Sequence, residues 1–230
     1  MQKFTKTTRT LAALLVSGTA LTGVASAAEI SANVGATTDY IWRGNTQASG
    51  DASLSGGFDA DLGNGLAIGT WVGSLGASAT DANYELDLYA SYSTEVGGFP
   101  LEVGYISYLY PGVADSANDF SDIYIGTSIA GISVTYYMNA GAEDDDYKDS
   151  EESYLSLDYE YALSDDISIG LHYGSQTYGE EGIAGTCGSA TGCEDNDDTA
   201  ISISKGDMTM TISGNEDDDT RAIISWGASF

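Results

Sequence analysis

The chain has 230 residues, of which 35 are acidic and 7 basic, so its formal net charge at neutral pH is −28. So negative a chain is excluded from nucleic-acid binding, because the phosphates of a nucleic acid would repel it. Its 29 glycines follow no three-residue period, which excludes collagen, and its regularly spaced apolar residues argue against disorder.

The N-terminus predicts a secretory signal peptide over residues 1–27. Its basic residues are Lys3, Lys6 and Arg9. A short apolar stretch follows at residues 11–21, and a small-residue cleavage site lies at residues 25–27. Cleavage would leave residues 28–230 as one outer-membrane β-barrel domain with a net charge of about −31. No later segment approaches the roughly 20 apolar residues that a transmembrane helix needs.

Beyond the signal peptide, apolar and polar residues alternate in runs of about ten, which is typical of transmembrane β-strands. We predict twelve strands, at residues 30–43, 53–62, 66–74, 84–94, 101–109, 120–129, 132–140, 154–163, 167–175, 199–205, 208–213 and 220–230. Five connections are short and six are longer, as in a barrel with periplasmic turns and outer loops. The predicted fold is an all-β, 12-stranded antiparallel up-and-down transmembrane β-barrel. A soluble β-sandwich would show the same alternation but not this asymmetry of loops.

The last strand supports a bacterial outer-membrane location. Its apolar face resembles that of the closing strand of outer-membrane barrels and carries Ala222, Ile224, Trp226, Ala228 and Phe230. We expect Phe230 to be recognised by the outer-membrane assembly machinery, and the barrel to contact lipid and lipopolysaccharide. The strand should pair with the first strand and bring Arg221 beside Asp39 and Arg43.

The opposite strand face should line a lumen that is mostly acidic. The predicted inward carboxylates are Asp39, Asp59, Asp61, Glu85, Asp87, Glu102, Asp122, Asp158 and Glu160. Arg43 and Arg221 are the inward cations, and His172 is expected to be neutral or weakly charged. Carboxylates lining a pore favour cations over anions, and two arginines cannot neutralise nine carboxylates. The same groups could instead brace a closed barrel.

Aromatic residues should narrow this lumen and anchor the outer surface. Twelve tilted strands give a backbone radius of roughly 12 Å. Inward aromatic rings would occupy several ångströms of this radius; they are those of Trp71, Tyr89, Tyr108, Tyr124 and Tyr137. Only ions or small solutes would then pass. The outward aromatics should form two interfacial bands, with Tyr40, Trp42 and Tyr84 near the loop ends and Tyr92, Tyr105, Tyr159, Tyr161 and Phe230 near the turn ends.

The predicted outer loops carry two further candidate sites. Cys187 and Cys193 favour a local disulfide in an exported protein, with a metal site as the less favoured alternative. Asp144, Asp145 and Asp146 could hold Ca²⁺ weakly, although a solvated, salt-adapted surface is the favoured interpretation. No other cofactor is expected. No nucleophile elbow, phosphate loop or metal-binding motif predicts an enzyme, and His172 lies in mid-strand rather than at a rim.

The first half of the chain also resembles a known family. Asp39-Tyr40-Ile41-Trp42-Arg43-Gly44 followed by Thr46-Gln47 is similar to the N-terminal motif of the TorF-type porin family of proteobacteria. The resemblance continues through Ser55–Asp59, Gly69–Trp71, Tyr84–Tyr89 and Tyr105–Gly112, and becomes general beyond Gly126. It implies an outer-membrane β-barrel with diffusion activity, and no particular solute.

Together these patterns predict a narrow, cation-preferring outer-membrane pore for ions or small solutes. The alternative is a non-conducting structural or surface barrel whose acidic outer loops bind divalent cations. The two differ in whether the lumen is open.

Overall fold

The computed structural model describes residues 28–76, 82–113, 119–142, 152–178, 195–216 and 220–230. In these ranges the chain forms strands β1 (Glu29–Thr37), β2 (Ile41–Trp42), β3 (Asn45–Thr46), β4 (Ser53–Gly63), β5 (Leu66–Ser74), β6 (Tyr84–Val96), β7 (Phe99–Leu109), β8 (Phe120–Ile129), β9 (Ile132–Ala142), β10 (Ser153–Ala162), β11 (Ile167–Thr177), β12 (Asn196–Lys205), β13 (Met208–Asn215) and β14 (Arg221–Ser229). Within the described ranges, no helix is long and apolar enough to cross a membrane. The predicted signal peptide lies outside them.

Twelve of these strands form one closed antiparallel barrel, which confirms the predicted fold. Each strand pairs with its neighbour in sequence, from β4 round to β14, and β1 joins β14 to β4. Across the closing seam, Ala32 and Phe230 exchange backbone hydrogen bonds of 2.9 and 3.2 Å. The wall therefore has no free strand edge, as a membrane-spanning sheet requires.

Five tight turns connect the strands at one end of the barrel, at residues 64–65, 97–98, 130–131, 163–166 and 206–207. Asn64 and Gly65 have φ values of 55° and 86°, and Ala130 and Gly131 have 53° and 85°. Positive φ at both central residues is characteristic of two-residue hairpin turns. Because the strands cross up and down, the six longer connections all lie at the opposite, outer end.

The outside of the barrel is apolar and exposed. The outward positions of every wall strand carry large hydrophobic side chains, among them Ile30, Leu54, Phe58, Ile68, Leu88, Val103, Ile125, Leu171, Ile203, Met210, Ile224 and Trp226. Inward positions alternate with them and carry most of the buried polar groups. An apolar belt around a closed sheet is suited to lipid.

The first predicted strand is too long, and this is the main correction to the sequence-based topology. β1 ends at Thr37, and Tyr40 and Trp42 do not continue its lipid-facing row. The chain bends at residues 38–39, and β2 and β3 then form a separate two-stranded hairpin. Tyr and Trp suit a lipid interface and an aromatic core equally well, so alternation alone could not separate the two.

A smaller correction concerns β12, which begins at Asn196 rather than at residue 199. Asp198 therefore lies in the barrel wall, where it is 3% exposed, and not in an acidic outer loop. Acidic residues are depleted in strands, so the sequence favoured a loop at this position.

Candidate functional site

Residues 38–50 fold back into the barrel, and we call this segment the lumen hairpin. Asp39 organises it, because its Oδ1 accepts hydrogen bonds from Thr46 Oγ1 at 2.6 Å and from the Gly50 backbone at 3.3 Å. The Gln47 N–H donates to the Tyr40 carbonyl at 2.7 Å. Arg43 and Gly44, with φ values of 46° and 77°, reverse the chain between β2 and β3.

The tip of the lumen hairpin packs closely against the wall at β12 and β13. A Cβ atom at Gly44 would lie 2.4 Å from Cβ of Asp198, so no larger residue fits without displacement. Asn215 Nδ2 donates to Asn45 Oδ1 at 3.0 Å and to the Gly44 carbonyl at 3.3 Å. The tip is thus fixed by backbone contacts as well as by side chains.

Arg43 fixes the lumen hairpin to the other side of the barrel. Its guanidinium forms a salt bridge with Asp122 on β8, and its Nη1 lies 3.9 Å from Glu152 Oε1. The same group stacks on three aromatic rings at 4.2 to 5.1 Å from their centroids, those of Trp42, Tyr137 and Tyr154. The Arg43 side chain is 6% exposed, so its charge depends on these partners instead of on water. Burial raises the pKa of the Glu152 carboxyl, against the opposing effect of Arg43.

Trp42 lies in an aromatic cluster inside the barrel, which makes its predicted membrane-interface position wrong. Its ring contacts Tyr108 and Phe120 at centroid distances of 5.8 and 5.9 Å, and those two rings stack at 4.5 Å. The cluster packs on Ile106, which is 1% exposed. Tyr40 is also inside, with its ring 5.3 Å from that of Trp71. The hairpin therefore narrows the outer half of the lumen.

Four carboxylates on β4, β6 and β7 form what we call the acidic wall, made of Asp59, Glu85, Asp87 and Glu102. Tyrosine hydroxyls donate to three of them, in the pairs Tyr89–Asp59 at 2.6 Å, Tyr40–Glu85 and Tyr110–Glu85 at 2.8 Å, and Tyr124–Glu102 at 3.0 Å. None of the salt bridges between described residues reaches any member of this wall. The hydroxyl donors are neutral, so no cation among the described residues compensates the charges of Asp59 and Glu102.

On the other side, His172 bridges two carboxylates. Its Nδ1 lies 2.7 Å from Asp158 Oδ1, and its Nε2 lies 2.9 Å from Asp198 Oδ1 and 3.0 Å from the Tyr154 hydroxyl. Carboxylates only accept hydrogen bonds, so both ring nitrogens carry protons and His172 is an imidazolium. This corrects the expected weak charge. Asp198 was missed as its partner because it was assigned to a loop.

The remaining predicted site residues are more peripheral. Arg221 Nη1 lies 3.5 Å from Asp39 Oδ2, which places the closing strand beside the lumen hairpin. Asp61 and Glu160 are exposed near the turn end of the barrel. Cys187, Cys193 and the triplet Asp144, Asp145 and Asp146 lie outside the described residues. Among the residues that are described, no group of three or more potential metal ligands occurs.

A closed antiparallel barrel with an apolar exterior and a polar, partly filled interior is an outer-membrane β-barrel protein. More narrowly, residues 21–205 match the family described as "Bacterial protein of unknown function (Gcw_chp)", and the chain belongs to that family. A search of curated proteins found no matching sequence.

Two solved KdgM porin structures share the fold. A KdgM porin matches with a TM-score of 0.53 and 12% identity, over 87% of this chain and 98% of the porin. A KdgM porin in complex with disordered oligogalacturonate matches with a TM-score of 0.51 and 10% identity, over 87% of this chain and 97% of that one. The outer membrane protein OpdK of Pseudomonas aeruginosa has a TM-score of 0.39 at 12% identity, covering 78% of this chain and 58% of its own. At such low identity the likeness concerns the fold alone.

Proposed function

We propose that this barrel is a narrow porin-like pore through which cations and small solutes diffuse, with a preference for cations. The observation that carries the proposal is the acidic wall. Two of its members, Asp59 and Glu102, are partly exposed on the inward face, and no salt bridge among the described residues neutralises them. Carboxylates along a pore stabilise a passing cation and repel an anion.

The three lumen cations do not cancel this field, because each is already paired. Arg43 contacts Asp122 and Glu152, Arg221 contacts Asp39, and His172 contacts Asp158 and Asp198. Five carboxylates thus surround three cations, before the acidic wall is added. The overall net charge of −28 would also draw cations towards either mouth of the barrel.

The solute preference of a porin is determined by the residues that line its lumen and not by its fold. The ligand in the KdgM complex is an oligogalacturonate, and each galacturonate unit carries a carboxylate. The acidic wall of this chain would repel such a solute. We therefore propose that the present barrel shares its architecture with that porin but does not favour such an anionic solute.

The finer identity of the protein is also part of the proposal. The motif from Asp39 to Gln47, which forms the lumen hairpin, supports assignment to the TorF-type porins. We further propose export through a signal peptide over residues 1–27, a Cys187–Cys193 disulfide, recognition of Phe230 by the assembly machinery, and contact with lipopolysaccharide.

A non-conducting structural barrel is the second candidate. It is favoured by the burial of the lumen hairpin, in which Ala48 is fully buried and Asp39 is 7% exposed. In that case the carboxylates brace the interior, and outer-loop residues such as Asp144, Asp145 and Asp146 hold Ca²⁺ weakly. Measurable ion conductance by the refolded protein would exclude this candidate.

Neutralising part of the acidic wall tests the pore proposal. In planar bilayers with a KCl gradient, the double variant Asp59→Asn/Glu102→Gln should have a lower K⁺-to-Cl⁻ permeability ratio than the unmodified protein, because two lumen charges are lost. Asp165→Asn is the control, since it removes a charge from a turn outside the lumen. An unchanged ratio in the double variant would contradict the proposal.

A further inference from the structure

His172 is the only histidine of the chain, and it lies on β11 between carboxylates of the two neighbouring strands. Its Nδ1 is 2.7 Å from Asp158 Oδ1 on β10, and its Nε2 is 2.9 Å from Asp198 Oδ1 on β12. One imidazolium therefore holds a carboxylate on each side of its strand. The acidic wall lies on other strands and makes no use of this group.

A glycine of β11 leaves the space in which those neighbouring strands reach each other. A Cβ atom at Gly174 would overlap the Tyr154 hydroxyl oxygen and Asp198 Oδ2. Across this gap the Tyr154 hydroxyl donates to Asp198 Oδ2 at 2.9 Å, and its oxygen lies 3.0 Å from His172 Nε2. Both carboxylate oxygens of Asp198 are thus held, one by His172 and the other by Tyr154.

The same two partners of His172 form the seat of the lumen hairpin. The Asp198 side chain packs directly against Gly44, where a Cβ atom would not fit. The Tyr154 ring lies 4.9 Å from the Arg43 guanidinium. The placement of two adjacent hairpin residues therefore depends on two side chains that His172 orients.

The charges of this cluster balance best while His172 is protonated. Among the described residues, the titratable groups that face its ring are Asp158 and Tyr154 from β10 and Asp198 from β12, and Arg43 reaches it only through the Tyr154 ring. A neutral imidazole has a single N–H, so one of the two carboxylates would lose its donor. Without the cation, the two carboxylates would also repel each other.

Protons can reach the cluster from the water of the lumen. The side chains of His172 and Asp158 are 18% and 16% exposed, whereas that of Asp198 is 4% exposed. The accessible part of the cluster is thus the imidazolium and its first carboxylate, and the shielded part is the carboxylate that supports the hairpin. Histidine is the side chain best suited to change its charge near neutral pH.

We propose that the imidazolium of His172 is a proton-controlled latch that keeps the lumen hairpin seated. When its proton leaves for the lumen water, Asp198 faces Asp158 with no cation between them, the seat of Gly44 is disturbed, and the hairpin leaves the wall. This inference rests on the proposed function and adds regulation to it, because the pore would be narrow while His172 is charged and wider at alkaline pH.

Limited proteolysis tests release of the hairpin, because trypsin cleaves after arginine and the Arg43 side chain is 6% exposed when seated. In detergent-solubilised His172→Gln at neutral pH, cleavage of the Arg43–Gly44 bond should be at least about tenfold faster than in the unmodified protein. Loss of a hydrogen bond to a charged group shifts an opening equilibrium by about that factor. Mass spectrometry identifies the cleaved bond, and an unchanged rate would overturn the proposal.

Tyr173→Phe is the matched control. Tyr173 is the next residue of β11 but points outward, and its hydroxyl donates to Asp197 Oδ2 at 2.8 Å. The variant therefore removes a carboxylate hydrogen bond between the same two strands and leaves the lumen unaltered, so cleavage after Arg43 should keep its original rate. Equal acceleration in both variants would assign release to loosened strands and overturn the proposal.

The unmodified protein tests the latch even if His172→Gln does not fold. Because the untagged chain has one histidine, its imidazole nitrogen NMR signals belong to His172 alone, and they should show both nitrogens protonated at neutral pH. As the pH is raised, the ring should become neutral over the range in which cleavage after Arg43, corrected for the activity of trypsin on a small substrate, becomes faster. A neutral ring at neutral pH, or a titration without faster cleavage, would overturn the proposal.

Bilayer recording separates this inference from the proposed function. A cation-selective pore in which Arg43 stays protected in His172→Gln would retain the pore and reject the latch. A barrel without conductance in which cleavage after Arg43 depends on His172 would retain the latch and reject the pore.

Discussion

Arg43 acts at the residue scale by joining the lumen hairpin to the barrel wall. Its guanidinium is enclosed by two carboxylates and three aromatic rings, and its side chain is 6% exposed. Arginine suits this position better than lysine, since its planar group can form an ion pair and stack at the same time. The sequence placed Arg43 in the lumen as one of two cations, but the identity of its partners depends on the hairpin.

Replacing Arg43 should therefore strongly destabilise the barrel. Arg43→Met would leave Asp122 buried without its cation, and removal of one partner of a buried ion pair costs about 3 to 5 kcal/mol. Denaturant unfolding of the refolded protein measures the loss. Arg221→Met is the comparison, because the Arg221 side chain is 29% exposed and lies 3.5 Å from Asp39, which keeps hydrogen bonds from Thr46 and Gly50, so its loss should cost less than that of Arg43. Equal losses in the two variants would show that Asp122 does not depend on Arg43.

The elements of the barrel differ in how far the sequence determines them. Wall strands such as β6 and β14 were predictable because one face contacts lipid, and a shift by one residue would turn that whole face inward. The lumen hairpin was not predictable, since residues 38–43 continue the same alternation before folding inward. Its path depends on contacts with residues far along the chain, such as Asp122 and Asn215, which no local pattern contains.

Gly44 offers a test of the hairpin as an element. In Gly44→Ala, the added methyl group would meet Asp198 at 2.4 Å, so the hairpin tip must move. Thermal unfolding should occur at a lower temperature, and single-channel conductance should increase as the hairpin leaves the wall.

Gly97→Ala is the control for that substitution. Gly97 also has a positive φ, of 62°, but a Cβ there would have nothing within 4 Å. Both variants therefore carry the backbone strain, and only Gly44→Ala carries the clash. Equal stability and conductance in the two variants would contradict the tight docking of the hairpin.

At the scale of the whole molecule, the two sides of the lumen differ in whether their acidic groups are paired with cations. The β8 to β12 side contains paired charges, whereas the acidic wall on the β4 to β7 side accepts hydrogen bonds from uncharged hydroxyl and amide groups. The alternation of the strands was enough to predict an acidic lumen. The division into a compensated and an uncompensated side required the structure, because it follows from which residues the hairpin and His172 reach.

The central claim is that this lumen conducts cations in preference to anions. The most direct test is the reversal potential of the unmodified, refolded barrel in a planar bilayer separating two KCl concentrations. A potential displaced towards the K⁺ equilibrium potential is the predicted result, because the acidic wall favours K⁺ in the lumen. A potential displaced towards the Cl⁻ equilibrium potential, or no conductance at all, would contradict the account.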